Sequence, residues 1–252
     1  MGKTGDVLPF SLGKSVYRLL QYPLQYLNCA AQSPVLYINI HSHNAPSPNE
    51  WTIQNLHDHW EKAAMPGQFS IGIHPWHIDG NGQEQLSKLK QWITHPHVLA
   101  IGECGLDKVC STDFYLQQEV FTKQILLANS IQKPLVIHCV RAWEEVFSLL
   151  KKQENTVPVI FHGFAKKAVM ARRIISEGYY LSFGKALQQD RIREILGNIP
   201  SDRFFLETDD AALSIKSVYD MATDTLSIDH NSLSLQLQKN AAAVFGAAAV
   251  LL

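Results

Sequence analysis

The chain has 252 residues, of which 46% are hydrophobic, and its formal net charge is −1. A chain of this length can bury a large core within a single domain. The near-neutral charge excludes a protein that grips nucleic acid through a strong overall positive field, but it is compatible with contacts to a few phosphates through metal ions. The four cysteines show no paired spacing, which predicts free thiols in a reducing compartment.

No stretch of the chain approaches the roughly 18 consecutive apolar residues that a membrane span requires. The N-terminal region has scattered basic residues and no continuous apolar segment of the kind found in signal peptides. We therefore expect a cytoplasmic protein without membrane contacts. Residues 1–33 are predicted to be an N-terminal extension, either disordered or the result of a start site placed too early.

From Pro34 onwards, short apolar segments alternate with segments of helical spacing. Strands are predicted at residues 35–40, 51–53, 69–73, 98–101, 135–137, 157–161, 179–183 and 203–208. Helices are predicted at residues 57–65, 83–94, 113–131, 141–152, 165–177 and 187–196. The region after Asp209 is also predicted to be helical, and it is rich in alanine between Asn240 and Val250.

This alternation is typical of βα units and predicts a parallel sheet. Eight units favour a closed (β/α)₈ barrel of the TIM type, in a single domain over residues 34–252. The second strand is the weakest of the eight. An open doubly wound sheet is the alternative, but no glycine-rich phosphate loop follows the first strand.

Most of the predicted strands end in a side chain that can bind a metal ion. These residues are His41, His43, His74, Glu103, His138, His162 and Asp209. The carboxyl ends of the strands meet at one mouth of a barrel, so we expect the side chains to converge there. His41 and His43 point the same way on an extended chain and can hold one ion. The set predicts a two-metal site with Glu103 as the bridging carboxylate.

Each of these residues also has a simpler interpretation. A single histidine at the end of a strand is more often a hydrogen-bonded core residue, and Asp209 can cap the following helix. The metal centre is favoured because independent accidents would not all fall at the same end of successive strands. His74 and Arg141 are predicted to contact substrate, against the alternatives of a shaped loop and a solvated arginine. The basic residues within 166–173 are interpreted as a solvated helix face rather than a nucleic-acid patch.

The motifs at these strand ends resemble those of the TatD family of metal-dependent hydrolases. The resemblance is carried by His41-Ser42-His43, Gly72-Ile73-His74-Pro75, Ile101-Gly102-Glu103-Cys104-Gly105-Leu106-Asp107, Val136-Ile137-His138, Phe161-His162-Gly163-Phe164, Tyr180-Leu181-Ser182-Phe183 and Leu206-Glu207-Thr208-Asp209. These segments cover residues 34–246 in the family's order and spacing. The resemblance implies a (β/α)₈ fold related to the amidohydrolases and a metal-dependent deoxyribonuclease activity.

The resemblance also implies a role for each ligand. For the first divalent ion, the implied ligands are His41, His43 and Asp209. For the second ion, they are His138 and His162, and Glu103 would bridge the two ions. A metal-activated water would attack the phosphodiester bond, and Asp209 would accept its proton. The ions are expected to be Mg²⁺, Mn²⁺ or Zn²⁺ and the substrate to be DNA or another phosphoester; a monomer is favoured.

Three features depart from the family pattern. Asn39 stands two residues before the first histidine, where the family usually has aspartate. The proline that usually follows the Leu-Glu-Thr-Asp motif is replaced by Asp210-Ala211-Ala212, and the region between His43 and Gly72 is shorter than in larger members. None of these changes removes a ligand, so we expect them to affect the choice of substrate more than catalysis.

Two other functions compete with a nuclease. An amidohydrolase-like enzyme would cleave a small-molecule amide or ester. Many such enzymes bridge their metals with a carboxylated lysine at the end of the fourth strand, where this chain has Glu103. A catalytically silent barrel would serve as a binding module, but the full set of ligands argues against it.

Overall fold

The computed structural model describes residues 34–250, in which eight parallel strands form one sheet in the order of the sequence. The strands are β1 (Tyr37–Ser42), β2 (Glu50–Asn55), β3 (Gln68–Ile71), β4 (Val98–Asp107), β5 (Leu135–Val140), β6 (Val159–Phe161), β7 (Tyr180–Phe183) and β8 (Phe204–Leu206). The residues of these strands are almost all buried, which explains their continuous apolar runs. The predicted N-terminal extension, residues 1–33, lies outside the described residues.

Helices follow most of the strands. They are α1 (Gln83–Trp92), α2 (Phe114–Ile131), α3 (Trp143–Lys152), α4 (Ala168–Ser176), α5 (Asp190–Leu196), α6 (Ile215–Leu226), α7 (His230–Phe245) and α8 (Ala247–Val250). The side chains of Asp113, Ser214 and Asp229 cap α2, α6 and α7 by accepting a backbone N–H of the first turn. Within residues 34–250, every helix is too short or too polar to span a lipid bilayer.

The edge of β1 meets the residues that follow β8, and this contact nearly closes the sheet. Ser42 and Asp209 form a parallel bridge. The Asp209 N–H donates to the His41 carbonyl (3.0 Å), and the His43 N–H donates to the Asp209 carbonyl (3.1 Å). The predicted (β/α)₈ barrel is therefore confirmed, and the open doubly wound alternative is not.

All eight predicted strands are present, including the weak second one, but four of them (β1, β2, β4 and β5) extend beyond their predicted carboxyl ends. β4 continues to Asp107 and β5 to Val140, because the two strands remain paired over this length. Glu103 and His138 therefore lie inside strands rather than after them. Their side chains still face the carboxyl-terminal mouth of the barrel, as the clustering described below shows.

Several helices are shorter than the sequence predicts. The helix expected at 141–152 begins at Trp143, because Arg141 has a left-handed backbone (φ 55°) that interrupts it. The segment 187–196 divides into a 3₁₀ helix at Lys185–Gln188 and the separate helix α5. The segment 57–65 contains only a 3₁₀ helix, Trp60–Ala64, and the helix expected from residue 165 begins at Ala168.

The pairing of β4 with β5 requires a residue without a side chain at Gly105. Gly105 lies opposite His138 and has a φ of 137°. A Cβ atom at this position would lie 2.1 Å from the carbonyl oxygen of His138. Because two backbones meet here, the clash has no flexible side chain to absorb it.

We predict that Gly105→Ala lowers the free energy of unfolding by roughly 3 kcal/mol or more, through backbone strain and overpacking. Gly80→Ala is the matched control, because Gly80 also has a positive φ (52°) but no atom within 4 Å of its added Cβ. The control is expected to cost about 1–2 kcal/mol. Denaturant unfolding of both variants measures the difference, and equal losses would contradict this account of Gly105.

Candidate metal centre

The carboxyl ends of six strands bring the predicted ligands together at one mouth of the barrel. The side chains come from β1 (His41), from the segments that follow β1, β3, β6 and β8 (His43, His74, His162 and Asp209) and from the interiors of β4 and β5 (Glu103 and His138). Six of the seven line a cavity of about 320 Å³, and the seventh, His41, lies 3.5 Å from Glu103. Residues that are far apart in the sequence thus form one cluster.

Glu103 is the centre of this cluster and is only 6% exposed. Its Oε1 lies 2.7 Å from His162 Nε2, 2.9 Å from His138 Nδ1 and 3.4 Å from His74 Nε2. Its Oε2 lies 3.5 Å from His41 Nε2 and 3.7 Å from His43 Nε2. One buried carboxylate therefore faces five imidazoles, with each oxygen turned to a different group of them.

The protonation of Glu103 follows from these neighbours. Burial would raise the pKa of its carboxyl, but the charge of His162 and the hydrogen bonds from His138, His162 and His41 hold that pKa well below its usual range. The carboxylate is therefore ionised, as a metal ligand must be.

His41, His43 and Asp209 form a second part of the cluster. Asp209 Oδ1 lies 3.5 Å from His41 Nε2 and 3.5 Å from His43 Nε2. The closure of the barrel between β8 and β1 produces this proximity, since the backbone of Asp209 forms hydrogen bonds with the backbone of His41 and of His43. Burial would raise the pKa of Asp209, but hydrogen bonds from the two histidines lower it strongly, so this carboxylate is also ionised.

Four overlapping groups of three side chains have ligand atoms within 4.8 Å of one another. They are His41–His43–Asp209, His41–Glu103–His162, His74–Glu103–His138 and His162–Glu207–Asp209. The first agrees with the predicted ligand set of one ion. The third brings in His74, which the sequence predicted as a substrate contact, so the geometry gives this histidine the position of a possible metal ligand as well.

Buried ring nitrogens test whether a cation fits this site. His41 is fully buried; its Nδ1 has no hydrogen-bond partner among the described residues, and its Nε2 has only the long 3.5 Å contacts with Glu103 and Asp209. Nδ1 of His162 is also buried, and its carboxylate neighbour, Glu207 Oε1, is 3.7 Å away. An unsatisfied buried polar atom costs free energy, which coordination to a divalent cation would offset. Nitrogen and carboxylate donors in this number suit such an ion, so the residues fit a metal centre.

A second layer of carboxylates holds the histidines in place. Asp107 Oδ2 lies 3.3 Å from His138 Nε2 and accepts a hydrogen bond from Trp76 Nε1 (2.6 Å). Glu207 Oε1 accepts a hydrogen bond from the backbone of Gly163 (2.7 Å), next to His162. Carboxylates in such positions orient metal-binding imidazoles. The sequence prediction gave Asp107 and Glu207 no role, although each follows an apolar run as the predicted ligands do.

Asn39 replaces a charged residue without leaving a buried group unpaired. Its Nδ2 donates to Thr208 Oγ1 (3.0 Å), and its Oδ1 accepts the Thr208 N–H (3.1 Å). This side chain therefore joins β1 to the segment after β8, at the residue that precedes Asp209. The departure from the family pattern at this position concerns the closure of the barrel and not the ligand set.

Arg141 occupies a different position from the clustered residues. It is exposed, directly follows β5 and has the left-handed backbone noted above. The residues that line the central cavity, within the described part of the chain, do not include Arg141. Its contact with substrate stays a prediction.

The fold and this cluster define a barrel of the metal-dependent hydrolase type. The model of the TatD-related DNase family matches residues 27–246, so the chain belongs to this family. Membership places it among metal-dependent hydrolases, as the sequence predicts. The match includes residues 27–33, which the sequence prediction had assigned to an extension outside the family region.

The chain is similar in sequence to two named relatives over part of its length. The chain is 36% identical over 145 residues to the uncharacterized metal-dependent hydrolase YabD of Bacillus subtilis, an alignment that covers 56% of this chain and 57% of that protein. It is 33% identical over 146 residues to a 3'-5' ssDNA/RNA exonuclease TatD of Cronobacter turicensis, with 56% of each chain covered. The chain thus spans little more than half the length of the curated relatives it matches.

A solved structure agrees with the fold. YjjV, a TatD homologue from Escherichia coli, superimposes with a TM-score of 0.71 at 20% identity, covering 84% of this chain and 98% of that one. At this level of identity, the likeness concerns the barrel architecture.

We predict that a divalent cation raises the melting temperature of the metal-stripped protein. Cations that bind only the folded state stabilise it, and a saturating concentration of Mn²⁺ or Zn²⁺ is expected to shift the midpoint by about 5 °C or more. Glu103→Gln and His41→Ala are expected to lose most of the shift, and His59→Ala, at an exposed histidine outside the cluster, to keep it. Calorimetry measures these midpoints, and an equal shift in all variants would refute the assignment.

We also predict a pH dependence of the metal-free protein that comes from His43. Hydrogen bonds to Asp209, and then to Glu103, raise the pKa of His43 to about 9. Because the folded pKa lies above the ordinary 6.5, protonated His43 stabilises the fold below pH 6.5, and this contribution is lost as the pH rises through 9.

The difference in unfolding free energy between the wild type and His43→Gln tests this dependence. In the presence of a chelator, the advantage of the wild type should shrink steadily between pH 6.5 and 9. Denaturant titrations at several pH values measure it, and a constant or growing advantage would contradict the pairing of His43 with the two carboxylates.

Proposed function

We propose that the protein is a metal-dependent phosphodiesterase that hydrolyses DNA with two divalent ions and acts as an exonuclease on single strands. The observation that carries the proposal is the position of Glu103, whose two oxygens face separate groups of histidines at the mouth of the barrel. A bridging carboxylate offsets the repulsion between two cations, and paired cations suit displacement at phosphorus.

The ligand assignment follows the two sides of Glu103. His138 and His162, near Oε1, would hold one ion. His41 and His43, near Oε2, would hold the other ion together with Asp209. Mg²⁺, Mn²⁺ or Zn²⁺ bound there would act as Lewis acids and lower the pKa of a water molecule.

The protein's own groups would position and deprotonate that water. Asp209 lines the cavity and is ionised, so it can take the proton of the attacking water. Asp107 and Glu207 would fix the orientation of His138 and His162, respectively. His74, with Nε2 3.4 Å from Glu103 Oε1, would contact a phosphate oxygen or be a further ligand of the ion held by His138 and His162.

One observation supports a nucleic acid as the substrate. One relative is named a 3'-5' ssDNA/RNA exonuclease. The net charge of −1 gives no long-range attraction to a polyanion, so binding would depend on the cations and on a few local contacts such as the proposed one from Arg141. An amidohydrolase-like activity on a small amide or ester is less favoured, because the residue between the two histidine groups is a glutamate and not a lysine.

We predict metal-dependent cleavage of single-stranded DNA that depends on Glu103. Metal-stripped protein is incubated with end-labelled oligonucleotides and Mg²⁺, Mn²⁺ or Zn²⁺, and products are resolved by gel electrophoresis. Glu103→Ala is expected to lower kcat/KM about 1000-fold or more, because both ions lose a shared ligand. Glu177→Ala, at an exposed glutamate that follows α4, is the matched control and should retain wild-type activity.

One outcome would redirect the proposal. Tight cation binding without cleavage of DNA by any of the three metals would favour a small phosphoester or an amide as substrate. Cleavage that persists in Glu103→Ala would exclude the proposed two-metal site.

A further inference from the structure

Trp76 is an exposed aromatic residue on the wall of the central cavity. It is 57% exposed, whereas Trp51 and Trp60 are 4% exposed and the remaining two tryptophans, Trp92 and Trp143, pack against the core. A large aromatic side chain in contact with water forgoes the free energy of burial. A tryptophan that merely shapes a loop would bury its ring, as Trp51 and Trp60 do.

The exposed indole is nevertheless held in one orientation. Trp76 Nε1 donates to Asp107 Oδ2 at 2.6 Å, and the Trp76 N–H donates to His74 Nδ1 at 3.1 Å. Its ring packs edge-to-face with His74 (5.0 Å between centroids) and His138 (5.9 Å). Such anchoring lowers the entropy cost of binding a partner against the ring.

The wall around Trp76 favours a flat uncharged partner over a phosphate. None of the described residues that line this cavity is a lysine or an arginine. The indole therefore offers a stacking surface with no fixed positive side chain beside it. Asp107 contacts both the indole and the ring of His138, so a group stacked on the indole would be next to the histidine cluster.

We infer that Trp76 is a substrate-binding residue on which one unpaired nucleobase at the end of the strand stacks while the adjacent phosphate lies at Glu103 and its histidines. This inference rests on the proposed nuclease function and deepens it, because a base must leave its duplex partner before it can stack. Trp76 thereby selects single-stranded ends. Stacking on an aromatic side chain tolerates any base, so the contact discriminates a base from its absence rather than one base from another.

Binding without cleavage tests this role. Short single-stranded oligonucleotides with cleavage-resistant phosphorothioate linkages, and with either ordinary ends or abasic residues at both ends, are titrated against the wild type in Mn²⁺ and in chelator. Anisotropy of a central dye is the readout. In both conditions the wild type should bind the strand with ordinary ends about 5- to 100-fold more tightly than the abasic strand.

Substitutions of Trp76 then assign this preference to the indole. Trp76→Ala and Trp76→Leu should reduce the preference to about twofold or less, and Trp76→Phe, which keeps a ring without the Nε1 donor, should retain most of it. Leu235→Ala, at a 58% exposed residue of α7, is the matched control and should keep the full preference. Melting temperatures verify that each variant is folded.

The outcomes separate this inference from the nuclease proposal. A preference that the wild type lacks both in Mn²⁺ and in chelator, or that persists in Trp76→Ala, overturns the role of Trp76 even if the wild type cleaves unmodified DNA. A preference that depends on Trp76 upholds it even if no metal supports cleavage, in which case the nuclease proposal alone fails.

Discussion

The structure depends on one buried carboxylate among five imidazoles. An ionised glutamate removed from water is costly unless partners of opposite charge or strong hydrogen bonds surround it. Glu103 meets this condition through His41, His43, His74, His138 and His162. These residues belong to four other strand ends, so the carboxylate is satisfied only when the parallel barrel is assembled. The assembly that stabilises Glu103 is also the one that brings the candidate metal ligands together.

The closure between β8 and β1 extends this dependence to the second half of the site. Backbone bonds join Asp209 to His41 and His43, and the paired bonds between Asn39 and Thr208 hold the same junction one step deeper in the barrel. A neutral amide serves here because both its donor and its acceptor are used. The geometry of the Asp209 side therefore follows from strand pairing, and Asn39 stabilises that pairing.

Asp107 links the histidine cluster to the wall of the cavity. Its Oδ2 contacts both the His138 ring and the indole of Trp76, so a single carboxylate orients a candidate metal ligand and an exposed aromatic side chain. Under the proposed function, this arrangement would place a substrate contact beside the histidine cluster without a basic surface, as suits a chain of net charge −1. Local contacts at the mouth would then take the place of the long-range field of a basic nucleic-acid-binding protein.

The sequence by itself determined the eight βα units, their parallel arrangement and the residues that cluster at the mouth. Apolar runs that end in His or Glu carry this information locally, since strands buried on both faces favour a parallel sheet and its carboxyl ends share one side. Only the tertiary structure decided which Glu103 oxygen faces which histidines, the partners of Asp107 and Glu207, the position of His74 beside Glu103 and the boundaries near Arg141. These features depend on strand register and backbone dihedral angles, which bring together residues that no local pattern relates.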